Sequence, residues 1–240
     1  MHLTGTDRCA AVEPRRDAAV RLADAVRRLS HAAVVSEMSS LETDRVAALV
    51  EALADDLSAR RRESGTVGSV DDPAAGVRMF NPVVGPASPV APRSTMEVCG
   101  RAVVLRVTLD VVHEGHVGVV HGGVIAALFD DLLGTTACLR VWPSVTSRLV
   151  VRFRRPVPVS VPLVLRAVLE NVDGRTMEVR GTAFAESEPE VVLASAEASL
   201  VELDADQARR MLGSDVRVAG RALPDVLWPR GTTRAANRQA

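Results

Sequence analysis

Apolar residues along this chain follow two rhythms. From Pro14 to about Val35 they fall at Leu22, Val26, Leu29 and Ala33, and again at Val46, Leu49, Val50, Leu53 and Leu57. That three-to-four spacing predicts two amphipathic helices. Ser39-Ser-Leu-Glu42 reads as a capping box opening the second. Residues 1–63 are therefore expected to form a helical hairpin, ending at Arg60-Arg-Arg62 as a solvated, dipole-matched helix end. Residues 64–97 hold Pro73, Pro82, Pro86, Pro89 and Pro92 among Gly and Ser, which favours extended or turn backbone and predicts a linker. From Arg101 the rhythm changes to alternation, with Val103, Leu105 and Val107 predicting a strand up to about Val112.

Strand-like runs return at Val145–Arg155, Val161–Glu170, Arg175–Glu186 and Val191–Leu203, with Asp173-Gly174 as a hairpin signal between the middle two. An antiparallel meander is expected. The remainder, 205–240, reads as one short helix through Leu212 followed by a mobile tail. Between the first strand and the meander lies Glu114-Gly-His-Val-Gly-Val-Val-His121-Gly122-Gly123, running into Val124-Ile-Ala-Ala-Leu-Phe-Asp130-Asp131-Leu-Leu-Gly134. The second half predicts a helix ending near Arg140, apolar on nearly every face yet carrying an acid. A helix of that kind has to be covered on several sides, and a curved sheet wrapped around it does this. The fold class is α+β, and the domain proper spans 98–204.

Composition removes several function classes. A net charge of −1 gives no field for nucleic acid, and only 2% aromatic residues leave few stacking platforms. No run approaches the roughly 20 apolar residues of a membrane span, and the Arg- and Asp-rich first thirty residues do not resemble a signal peptide, so a cytoplasmic location is expected. Cys9, Cys99 and Cys138 have neither disulfide nor zinc spacing. His113 and His116 lack a carboxylate-backed helical partner, so no metal is expected. All 29 cationic residues are Arg and Ile occurs once, the codon bias of a GC-rich bacterial genome.

Gly123, Ala127, Asp130, Gly134 and Ala137 recur at intervals of four and three, so they share one face made of small residues and one acid. Asp131, about 100° around, is expected to be a solvent or salt-bridge residue. Gly122 and Gly123 stand where unpaired N–H groups and the helix dipole would stabilise an oxyanion. Asp130 lies seven residues beyond Gly123, roughly 10 Å along the axis, too far for one carbonyl group to meet both. Two chains pairing these faces about a two-fold axis would set Gly123 of one beside Asp130 of the other. A partly desolvated Asp130 would there be a better base towards water, or would attack a thioester directly to form an anhydride.

These residues carry a resemblance. The stretch from about Arg78 to Glu202 resembles the hotdog-fold acyl-CoA thioesterases, in the branch with His-Gly-Gly and an Asp nine positions after the His, matched by His121-Gly122-Gly123 and Asp130. Thr146 matches a Thr sixteen residues after the Asp, and Arg154-Arg155-Pro156 a basic residue followed by Pro. The Glu114-Gly115 lead-in, the Gly174-Arg175 turn and the Asn81-Pro82 approach agree with it as well. The resemblance implies a hotdog fold, a homodimer or dimer of dimers, and hydrolysis of an acyl-CoA or acyl-carrier thioester with no cofactor beyond the substrate's own CoA. It casts Asp130 as base or nucleophile, Gly123 with Gly122 as oxyanion donors, His121 as the group orienting the carbonyl or the loop, and Thr146 as the positioner of water. Arg155 and Arg175 become candidates for nucleotide phosphates. The chain departs from the branch at His116-Val117, where Pro-Pro is usual, and His116 is expected to line the mouth of the site. A non-catalytic acyl-CoA-binding module, with the helical hairpin as its interaction surface, is the alternative. A hotdog hydratase would need a paired His and acid in a motif that the sequence lacks.

Overall fold

The computed structural model describes residues 5–63, 66–72, 76–141, 143–204 and 206–208, with side chains from residue 12 onward. Two helices come first, α1 (Gly5–Val35) and α2 (Ser40–Ser58). An irregular segment leads into strands β1 (Ser94–Cys99) and β2 (Ala102–Thr108). A single 3-10 turn at Val111–His113 precedes a small hairpin, β3 (Glu114–His116) with β4 (Val119–Val120), and then helix α3 (Gly122–Cys138). Strands β5 (Ser144–Phe153), β6 (Pro162–Asp173), β7 (Thr176–Ala185) and β8 (Val192–Glu202) complete the described chain.

The main sheet is antiparallel with strand order β1-β2-β6-β7-β8-β5. This corrects the expected four-strand meander: β6, β7 and β8 follow one another, but β5 crosses over to pair with β8 and becomes an edge. With β5 at the far edge beyond β8, the helix between β2 and β5 runs across the sheet, and α3 touches β2, β5, β6, β7 and β8. Ile125, Leu128, Phe129, Leu132 and Leu133 of α3 are fully buried against Leu105, Leu163, Leu165, Met177 and Leu200. Each such side chain contributes about 1.5–3 kcal/mol. Ala194, Ala196 and Ala198 form the inward row of β8, and their small side chains let the helix lie close to the strand.

Strand β1 was not expected. Its outward edge is exposed at Val98, so alternation there is weak, and its pairing depends on the Gly100 turn, where φ is +62°. Helix α1 is longer than its periodicity predicts, because Pro14 lies inside it rather than at its start.

The helical hairpin also differs from expectation. Ala23 of α1 is buried, and Ala19 and Val20 pack on a small cluster of Val70, Met79 and Ala87. Helix α2 opens with the expected capping box, Ser39 N–H donating to Glu42 Oε2 at 3.0 Å. It buries none of its residues, however, and Leu49, Leu53 and Leu57 are 62%, 61% and 58% exposed. The two helices form, but α2 does not bury its apolar face against α1. Spacing fixes which side of a helix is apolar and says nothing about what covers it. At the other end a helical turn spans 206–208, and the expected helix end at Leu212 and the tail lie outside the described residues.

Candidate active site

The site is assembled around the first half of α3. The β3–β4 hairpin delivers the chain to it, with Glu114 Oε1 accepting from Gly118 N–H at 2.8 Å across the turn. Gly115 permits the delivery: a Cβ at this position would lie 2.9 Å from His121 Cα, a collision with backbone that no rotamer relieves. His121 N–H donates to His113 O at 2.8 Å, fixing the approach angle.

His121 is the N-cap of α3, and its Nδ1 accepts from Gly123 N–H at 2.9 Å. That assigns the proton of a neutral ring to Nε2. The structure thus refines two expectations at once. Of the two roles expected for His121, orienting the carbonyl or the loop, capping the helix start corresponds to the second, and the Gly123 N–H is occupied by the ring. Both residues are exposed. On the neighbouring residue, the Phe153 ring lies where a Gly122 side chain would be, 3.1 Å from an ideal Cβ.

Asp130 and Thr146 come together as their spacing suggests. Thr146 Oγ1 donates to Asp130 Oδ1 at 3.0 Å. Thr146 sits beside a break in the β5–β8 register between Thr146 and Arg148, and bulges of this kind re-aim side chains beside functional sites. Asp130 is exposed in the single chain. The buried carboxylate is its neighbour Asp131, whose side chain is 10% exposed. Asp131 Oδ1 accepts from Arg78 Nη2 at 3.0 Å and from Asn81 Nδ2 at 2.8 Å. Sequence spacing separated the two acids correctly by face and gave Asp131 its ion pair, but not its burial. The segment that covers it, around Asn81-Pro82, has no periodic signal.

The remaining candidates are dispersed. Arg155 is exposed beyond the end of β5, on the side of Gly122 and Phe153. Arg175 lies across the sheet beside the other end of β5. Its guanidinium is taken up by Glu202 O at 3.1 and 2.6 Å and by Gln207 Oε1 at 2.6 Å, which closes β8 rather than facing the site. His116 is exposed on the hairpin and stands apart from the cleft beside the helix start. His113 lines that cleft in its stead, a place that its sequence spacing did not signal. The cleft, about 270 Å³, runs from Gly123 and His121 between α3 and the Pro-rich segment.

Among the described residues no group of His, Cys, Asp and Glu is arranged to hold a metal, and no helix is long and apolar enough to cross a membrane. The Cys138 thiol is pushed above its ordinary range by burial. Burial also pushes the Asp110 carboxyl up, but hydrogen bonds from His31, the Val112 N–H and His113 together outweigh it and hold the group below the usual carboxylate range.

Comparisons with known proteins agree with this architecture. Residues 117–192 match the Thioesterase superfamily. The crystal structure of the thioesterase superfamily protein RHA08564 is 30% identical, with a TM-score of 0.69 over 77% of this chain and 90% of that one. A point mutant of the phenylacetic acid degradation protein PaaI from Thermus thermophilus is 22% identical over 46% of this chain and 93% of its own, at a TM-score of 0.42. Thioesterase superfamily member 2 from Mus musculus is 16% identical over 44% and 79%, at 0.40. No curated protein matches the sequence. The chain belongs to the thioesterase superfamily and has the hotdog fold, a curved antiparallel sheet around a central helix.

Proposed function

We propose that the protein hydrolyses an acyl-CoA to the free acid and CoA, in a site that two copies of the chain share. The observation that carries this reading is the Thr146–Asp130 hydrogen bond on the small-residue face of α3. It fixes one carboxylate oxygen and leaves the other free to act, on the same helix whose start carries Gly123.

Gly123 and Asp130 both lie on α3, so their offset of roughly 10 Å along the axis is a property of the helix. A thioester held by Gly123 N–H of one chain meets Asp130 of its partner only if the α3 faces pair antiparallel. In that arrangement Asp130 takes a proton from water while the water oxygen attacks the thioester carbon. The charge that develops on the carbonyl oxygen is met by the helix-terminal N–H groups once His121 has turned aside. The C–S bond then breaks and the CoA sulfur takes up a proton. Direct attack by Asp130, with an anhydride then hydrolysed, uses the same groups. Arg155 is the better placed of the two candidate phosphate contacts, since its side chain has no other described role and lies at the Gly122 end.

Thiol release from a panel of acyl-CoAs tests this. Asp130→Asn should lower kcat by about 10²–10⁴, the range for loss of a general base; unchanged turnover would remove Asp130 from the chemistry. The capped Gly123 N–H favours a second reading, an acyl-CoA-binding module in which His121 never releases its donor. That reading predicts ligand binding without thiol release.

A further inference from the structure

The segment from Asn81 to Pro92 has no strand partner, yet it is held in one conformation from two sides. Pro82, Pro86, Pro89 and Pro92 have no N–H, so the segment cannot join a ladder; Asn81 O, Gly85 O and Ser88 O accept from N–H groups within it, and further donors to its carbonyls have to come from elsewhere. Helix α1 supplies them. Arg27 donates through Nη1 to Ser88 O at 2.5 Å and Ala91 O at 3.3 Å, and through Nη2 to Pro86 O at 3.1 Å. Three carbonyls of one short turn converge on one guanidinium. Asp24, one helical turn earlier, holds that guanidinium through Nη2 at 2.6 Å and also pairs with Arg93 at the end of the segment. From the other side, α3 grips the segment's start through Asp131 and Asn81. Ala87, Ser88 and Ala91 are buried beneath these contacts.

Side chains of this segment form one wall of the cleft that begins at Gly123. Pro82, Val83, Val90 and Pro92 face Val124 and Leu128 of α3 across it. Among the described residues its only polar side chains are His113 and His121, at the end where a thioester would sit, and no Asp, Glu or Arg lines it. A volume of about 270 Å³, at roughly 30 Å³ per water-sized group, holds about nine heavy atoms. Such a slot suits an unbranched aliphatic chain of medium length and offers nothing to a charged or polyhydroxylated one.

We propose that the Pro82–Pro92 segment is the wall of an acyl-chain subsite and that Arg27 of α1 is the positioning residue that sets it, so that the N-terminal helix is part of the chain-length filter. This rests on the thioesterase reading. It goes beyond that reading by giving the Asp24–Arg27 turn and the Pro-rich segment, which lie before residues 117–192, a role in choosing the substrate.

The experiment compares kcat/KM for straight-chain acyl-CoAs from acetyl to dodecanoyl on the full chain. Val90→Trp places an indole in the slot from a position that is 69% exposed, so the core is not disturbed. The octanoyl-to-acetyl ratio should fall at least tenfold. Arg27→Met keeps the stem and removes the three carbonyl bonds; the same ratio should fall about fivefold, through KM for the longer chains, and Arg27→Lys should recover part of it. An unchanged ratio in Val90→Trp, or an Arg27→Met loss equal at every chain length, overturns the proposal. If the wild-type protein releases no thiol from any member of the panel, the hydrolytic reading fails by itself. The subsite is then tested with octyl-CoA thioether by calorimetry: Val90→Trp should weaken binding at least tenfold, and unweakened binding overturns it.

Discussion

Asp131→Ala isolates the contact that fastens the Pro-rich segment to the central helix. In the wild-type chain one oxygen, Asp131 Oδ1, receives both Asn81 Nδ2 at 2.8 Å and Arg78 Nη2 at 3.0 Å. Asn81 is 9% exposed, and its own Oδ1 accepts from Val83 and Val84 N–H at 2.7 and 3.0 Å, so it cannot turn to find another acceptor without releasing them. Its amide would be left buried and unpaired, which costs about 1–3 kcal/mol. Arg78 is 56% exposed and would regain water, so its lost ion pair adds only about 0–1 kcal/mol. A partial offset comes from Asp131 Oδ2, which is buried without a partner and whose desolvation the substitution relieves. The net expectation is a loss of about 2 kcal/mol. For a chain of this size that lowers Tm by about 4–8 °C, read by scanning calorimetry or by urea unfolding followed by circular dichroism. Asp130→Ala is the internal control: an exposed carboxylate with one exposed hydroxyl partner should change stability by less than about 0.5 kcal/mol. Equal or reversed effects of the two substitutions would refute this assignment of the buried and the free acid.

Three further outcomes follow from the contacts described. Gly115→Ala should cost about 1–3 kcal/mol and disturb the His121 cap, because the added methyl meets His121 Cα at 2.9 Å; thermal unfolding and thiol release would both register it. The Asp24 carboxyl is held below its ordinary value by the Arg27 guanidinium, with burial opposing and Arg93 adding to the effect. A depressed folded value means that its stabilisation is present above the unfolded value of about 4 and is lost as pH falls through the folded one; Asp24→Asn should flatten the fall of Tm between about pH 4 and pH 2. Burial raises the Cys138 thiol, whereas Cys99 is exposed, so in Cys9→Ser protein an aromatic disulfide reagent should titrate Cys99 rapidly and Cys138 at least tenfold more slowly, the difference vanishing on unfolding.

Much of the fold was legible because it rests on local rules. Strands β5 to β8 and helix α3 follow from periods of two and three to four, and the β6–β7 turn from Asp173-Gly174, where Gly174 takes φ +55°. The meeting of Asp130 with Thr146 was legible only through family spacing, since sixteen residues and a change from helix to strand separate them. What remained hidden is tertiary. The place of β5 beyond β8 is a matter of which strand edge remains to be paired, which no alternation encodes. The burial of Asp131 depends on a segment without periodicity, and the bond from Arg27 to Ser88 O joins residues 61 apart. Helix α2 makes the same point in reverse: its spacing is regular and its capping box forms, yet its leucines meet solvent in the single chain.

Sharing of one site between two chains is tested most directly by mixing. Gly123→Pro removes the N–H at the helix start, and Asp130→Ala removes the acid on the same helix, so each homodimer lacks one half of every site. A heterodimer formed by co-expression joins the intact Gly123 of one chain to the intact Asp130 of the other in one of its two sites. With random pairing, about one quarter of the wild-type sites are restored, and acyl-CoA thiol release should return to about that fraction. Activity no higher than that of either parent, in a preparation shown by mass spectrometry to contain the heterodimer, would contradict a site built from two chains.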